Sequence, residues 1–271
     1  MRVLLMLLLG GGLAAAQVST SPILSKQMKD GRRIIDEAID ALGGDSFLGM
    51  TTKVESGRFY SFFHAQLSGL TVASVYTKYL IAPDPPKIDE VYLRERQAFG
   101  KDEKWSVVFN EKGGFEVTFR GVRPLPEEQF KSWRERRRKD IFYILLRRLN
   151  EEGMIFERRT RDVIDNMPLE VVDITDSNNE VVTVYFHYTT KLPMRQQFDR
   201  RDKLRIRHVE TTIFGKYKDV GGGVMLPKVV QRERDGKKVF SMFAEKIEIN
   251  VPLSEDQISF PGDLKMIGAG K

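Results

Sequence analysis

The 271-residue chain contains no cysteine. Thiol catalysis, cysteine-ligated zinc or iron–sulfur centres and disulfide staples are therefore excluded, as is a lipid-modified cysteine behind an export signal. Histidine is nearly as scarce. His64, His187 and His208 are the only three, far apart and outside any H-x-x-x-H or H-E-x-x-H spacing, so no metal site is expected. Long apolar runs are missing too: the N-terminal stretch Val3 to Leu9 falls well short of the ~20 residues that span a membrane. No G-x-S-x-G nucleophile frame and no G-x-x-x-x-G-K-[ST] phosphate loop occurs, and Gly221-Gly222-Gly223 joins two strand-like segments rather than a strand and a helix. Carboxylates number 38, but nothing in their pattern separates a catalytic pair from solvated ones. No catalytic residue and no cofactor is assigned, and nothing here argues for an enzyme.

What is present begins with export. Met1-Arg2, the apolar run Val3–Leu9 and the small-residue end Ala14-x-Ala16 describe a secretory signal over residues 1–16, cleaved after Ala16. A chain exported without disulfides must hold itself together by core burial, which points to a bacterial periplasm or the outside rather than a small stapled module. Residues 17–271 suffice for one large β-rich domain. After a polar arm to about Ser25, Ile34, Ile35, Ala38, Ile39 and Leu42 recur at helical spacing, with Asp30 as a possible cap and Gly43-Gly44 as the stop.

Most of the remainder reads as antiparallel strands. In the first half these are Val54–Phe63 and Leu70–Ile81, joined through Ala65–Gly69, then Ile88–Glu95, Lys104–Asn110 and Phe115–Arg120. In the second half apolar and β-branched segments recur from Val171–Thr175 through Val181–Tyr188, Leu192–Phe198, Arg205–Phe214 and Val224–Arg232 to Val239–Ile249. Asn, Asp and Gly clusters separate them, residues that tolerate the positive φ of tight turns.

One helical insertion, about Pro126–Leu149, divides the two meanders. Its centre, Arg134-Glu135-Arg136-Arg137-Arg138-Lys139, is charged at six successive positions. Six residues exceed one 3.6-residue turn, so this part is expected to be solvated, either as a helix leaving the body or as a join between two helices. With a net charge of +6, the run Arg134, Arg136, Arg137, Arg138 and Lys139 suggests contact with an anionic membrane surface. Nucleic acid is not expected, because an exported chain with no nucleic-acid module has no access to it.

Several motifs carry a resemblance. The helix ending Ala41-Leu42-Gly43-Gly44 precedes the first meander, which contains the hairpin Phe109-Asn110-x-Lys112-Gly113-Gly114-Phe115. The second half reads Thr190-Lys191-Leu192-Pro193-Met194-Arg195, Arg201-Asp202-Lys203-Leu204, Phe214-x-x-Tyr217-Lys218-Asp219-Val220, Gly222, Leu226-Pro227, Ile249-Asn250, Leu253 and Phe260. In this order they resemble a longer variant of the LolA-like outer-membrane lipoprotein-sorting family. The resemblance implies an α+β, mainly β fold, an incompletely closed antiparallel barrel with helices over its concave face. It implies a periplasmic carrier that holds the acyl chains of a lipoprotein or lipid in an apolar cavity. On that reading the cavity wall falls to Phe59, Phe63, Tyr76, Trp105, Phe109, Trp133, Phe142 and Leu146, and the solvated join would serve as a weakly held lid. The alternatives are an envelope-stress sensor or protein-binding module on the same fold, and a hydrolase acting on envelope lipids or glycans.

Overall fold

The computed structural model describes residues 22–260 and 265–268; the expected secretory signal, residues 1–16, lies outside them. Fourteen strands form one antiparallel sheet in two sequential runs. The first run comprises β1 (Thr52–Phe63), β2 (Gln66–Tyr79), β3 (Leu93–Phe99), β4 (Trp105–Asn110), β5 (Gly113–Thr118) and β6 (Gly121–Pro124). The second comprises β7 (Ile155–Arg158), β8 (Asp162–Ile164), β9 (Met167–Thr175), β10 (Val181–His187), β11 (Pro193–Arg201), β12 (Arg207–Asp219), β13 (Met225–Arg234) and β14 (Lys237–Ile249). Within each run successive strands pair, except that β7 and β8 both pair with β9, and the first strand pairs with the last: β1 and β14 run antiparallel from Lys53↔Ile249 to Ser61↔Phe240. That seam joins the meanders into a single surface, order β6-β5-β4-β3-β2-β1-β14-β13-β12-β11-β10-β9-β7, whose two ends do not pair. The sheet is an incompletely closed antiparallel barrel. Met266 shields the β6 edge through a parallel bridge to Val122.

Alternation sets the two faces. In the second meander the even positions Val172, Ile174, Val182, Val184, Phe186 and Phe198 point inward and are buried. Helix α1 (Pro22–Leu42) lays its stripe Ile34, Ile35, Ala38, Ile39 and Leu42 on this surface. The helix begins at Pro22, not after Ser25, because proline is suited to a first helical turn. Asp30 is therefore interior to the helix and pairs with Arg158 at 3.3 Å rather than capping it. At the other end Gly44 N–H donates to Ile39 O at 2.9 Å and Gly43 N–H to Asp40 O at 3.1 Å, a Schellman stop with Gly43 at φ 120° that leads into the short α2 (Asp45–Leu48).

The remaining differences from the sequence reading have local causes. The first hairpin turns on His64 and Ala65 alone, both at positive φ, so the expected loop Ala65–Gly69 is mostly strand. β3 starts at Leu93 rather than Ile88, beyond the proline-rich Pro83–Pro86 connection. β6, β7 and β8 are three or four residues long, too short for a periodic signal.

Gly31 explains how α1 approaches β7. A Cβ there would lie 2.3 Å from the Phe156 carbonyl oxygen. Gly31→Ala, although it favours helix, is expected to lower stability by about 1–3 kcal/mol through overpacking. An unchanged or raised urea midpoint would contradict the close contact.

Candidate ligand cavity

The insertion forms a cover in two pieces. Helix α3 (Glu127–Arg138) ends at Lys139, and Asp140 restarts the chain by accepting hydrogen bonds from Phe142 N–H (3.0 Å) and Tyr143 N–H (3.2 Å). A short turn, α4 (Ile141–Tyr143), runs into a π-helical turn, Ile144–Arg148. The break would orphan backbone groups, and Gln196 of β11 supplies both partners. Its Oε1 accepts from Ile141 N–H at 2.9 Å and its Nε2 donates to Lys139 O at 3.0 Å.

The join is not solvated. Arg138 and Lys139 are 9 % and 4 % exposed. Arg138 pairs with Asp89 and, at 3.2 Å, with Asp176. Arg148 holds Glu151 at 2.6 Å and Asp176 at 3.0 Å, and Lys139 reaches Glu135 and Glu180. Arg137 pairs with the fully buried Glu95, and Arg134 donates to Asp89 O. The expected membrane-facing cluster of Arg134, Arg136, Arg137, Arg138 and Lys139 is thus corrected. Acidic residues from β3, the β9–β10 turn and the Asp89 loop hold Arg137, Arg138 and Lys139 in ion pairs, so the join is tied to the body rather than solvated. Losing one partner of a buried charge pair is costly.

Between cover and sheet lies a cavity of about 580 Å³, within the ~300–1,000 Å³ range of small-molecule sites. Cross-strand register orders its wall. One row runs Phe214, Val230, Met242 and Phe59, all apolar. The neighbouring row, one pleat away, runs Gln196, Thr212, Arg232, Phe240 and Ser61. Burial falls off along this direction: Phe59, Phe214 and Met242 are buried, whereas Ser61 and Leu70 are exposed. The mouth therefore lies beside Ser61, Gly69, Leu70 and Trp105, and the β1–β2 hairpin runs on past it with Phe63 and Leu67 in solvent. From the cover, Trp133, Phe142 and Tyr143 close the opposite side, with Phe142 edge-on to Phe214 at 5.1 Å.

Charge inside the cavity is mostly paired. Lys53 and Glu55 sit 2.9 Å apart. Burial alone would lower the Lys53 ammonium pKa, but Glu55 overcomes it and holds the group above its ordinary value. Arg137 is likewise raised by Glu95 and Asp140 against burial. Arg232 behaves oppositely: burial, then the like charges of Arg136 and Arg137, pull its pKa down to about 9.

Of the eight residues assigned to the wall from sequence, the structure brings four together there: Phe59, Trp105, Trp133 and Phe142. Tyr76 is off by one position: Val75 and Thr77 face the cavity, while Tyr76 points out, donates to Glu103 at 2.8 Å and lies under Arg96. Phe63 is 69 % exposed beyond the mouth. Phe109 lies behind Trp133, stacked on it at 4.5 Å, and Leu146 is buried in the main core. Gln196, Arg232 and the Lys53–Glu55 pair were not identified from sequence. For Arg232 a signal existed, since it shares strand parity with the apolar Val230 and Leu226.

Gln196→Leu is expected to cost about 1–3 kcal/mol for each backbone group left unpaired. It should also raise amide exchange at Ile141 specifically. Unchanged exchange there would show that the break does not depend on this side chain.

No protein-family model matches the sequence, and no curated protein matches it. Solved structures do resemble it. A DUF1329 family protein from Desulfovibrio piger shares 13 % identity with a TM-score of 0.56, over 86 % of this chain and 97 % of that one. A putative outer membrane lipoprotein-sorting protein domain from Vibrio parahaemolyticus shares 11 % with a TM-score of 0.51, over 84 % and 97 %. A LolA superfamily protein from Nitrosomonas europaea gives 11 % and 0.49, over 84 % and 97 %. The first two likenesses extend over nearly the whole of each solved chain and are likenesses of fold.

Proposed function

We propose, from a LolA-like fold and the cavity it encloses, that this protein is a periplasmic carrier sheltering the acyl chain of a lipoprotein or lipid. The observation that supports this is the row Phe214, Val230, Met242 and Phe59, an unfilled apolar wall under an aromatic cover. Burying about a dozen methylenes at ~0.8 kcal/mol each contributes on the order of 10 kcal/mol before the cost of association. At ~30 Å³ per non-hydrogen atom, the share of one molecule in liquid water, 580 Å³ holds on the order of twenty atoms. That suits one acyl chain with a small head better than a bundle of three. The buried charge pairs hold the cover, so the chain enters at the mouth beside Leu70 and Trp105 rather than by lifting a lid.

Delipidated protein is expected to take up a fluorescent single-chain fatty acyl probe saturably. Val230→Trp, which fills the apolar row, should weaken uptake at least about tenfold while leaving the melting temperature unchanged or raised, as cavity filling commonly does. Equal uptake by wild type and variant would place the probe outside the cavity. No uptake by either would return the fold to the protein-binding alternative.

A further inference from the structure

Among the described residues, two guanidinium groups at the cavity have no carboxylate of their own. Arg232 joins no ion pair among the described residues, and its Nε is buried with no hydrogen-bond partner. Its one close neighbour of note is the Phe240 ring, 4.2 Å from the guanidinium carbon. Arg136 donates to Ser132 Oγ at 2.8 Å and likewise meets no carboxylate. Nearby acids are already engaged. Glu210 is held by Arg234 at 2.7 Å, and Glu95 accepts from Trp133 and Gln97 while pairing with Arg137. Asp140 caps the break in the cover, and Glu55 pairs with Lys53. Arg136 and Arg232 line the same cavity, and Arg136 is one of the like charges that oppose the Arg232 cation.

Two unmatched, mutually repelling cations bordering an apolar hollow are stabilised by an anion from outside the chain. Their position relative to the apolar wall sets its geometry. Arg232 lies one pleat from Val230, on the mouth side of the row Phe214, Val230, Met242 and Phe59. We infer that the ligand is a single-chain amphiphile with an anionic head, a carboxylate or a phosphate monoester, its head at Arg232 and Arg136 and its tail on that row. This rests on the carrier reading and narrows it, because neutral lipids would leave both cations unsatisfied.

Binding of dodecanoate, dodecyl phosphate and monododecanoylglycerol to the full chain, each below its micellar concentration and read by displacement of a neutral acyl probe, tests it. One or both anions should bind roughly tenfold or more tighter than the glycerol ester, the range of charge-assisted hydrogen bonds; which of them binds tighter identifies the head. Arg232→Met should reduce that preference and the Arg136→Met, Arg232→Met double variant should erase it, with a melting temperature no lower than wild type reporting an intact fold. Equal affinity for all three in wild type overturns the anion site and leaves the carrier standing. A preference that survives in Arg232→Met and in the Arg136→Met, Arg232→Met double variant also overturns it. No binding of any of the three removes both readings.

Discussion

The hollow exists because the cover over the sheet is held in place by interactions that do not fill it. α3 and the turn after it form a broken helix, and Gln196 accepts and donates one hydrogen bond each to the two sides of the break. Behind the break, Arg138, Arg148, Glu151 and Asp176 form a buried network that ties the cover to the β9–β10 turn. Directional polar contacts of this kind set position without requiring side chains to interdigitate, unlike apolar packing, which gains only by closing gaps. On the α1 side, where packing is apolar, the concave face is filled. On the α3 side, where charges, Gln196 and the stack of Trp133 on Phe109 do the holding, it is not.

The interior is consequently amphipathic rather than uniformly greasy. An apolar row and a polar row lie side by side on adjacent pleats, and the arginines gather at the polar one. A cavity for a purely hydrocarbon guest would not need Arg232, whose desolvation and like-charged neighbours oppose its protonated form. Retaining it at an inward position is intelligible when a negative charge arrives with the guest. The mouth is consistent with the same polarity, since Ser61 and Thr212 lie in the arginine row and the buried aromatics in the other.

Much of the fold was legible. The period-two strands of the second meander, their Asn, Asp and Gly turns and the α1 stripe are local signals, and the structure places them where those signals point. The cover was not legible, for a physical reason. Six charges in succession imply solvent only if their partners are water, and here Asp89, Glu95, Glu151, Asp176 and Glu180 come from distant segments. Parity accounts for the mixed outcome at the cavity. Phe59 and Trp105 sit on the inward register while Tyr76 misses it by one residue. Phe109 is inward but screened by Trp133, which no strand pattern encodes. Arg232 was overlooked because a lone arginine on a strand ordinarily marks the solvent face, and only its alternation with Val230 argued otherwise.

The central claim is that an acyl chain occupies the hollow beneath the broken helix. The most direct measurement is a nuclear Overhauser experiment on methyl-labelled protein saturated with a protonated fatty acyl ligand. Contacts from the chain to the Val230, Leu226 and Met242 methyl groups are expected, with none to Leu67 or Leu204 on the exterior. Contacts confined to those exposed leucines, with Val230 and Met242 silent at saturation, would contradict it.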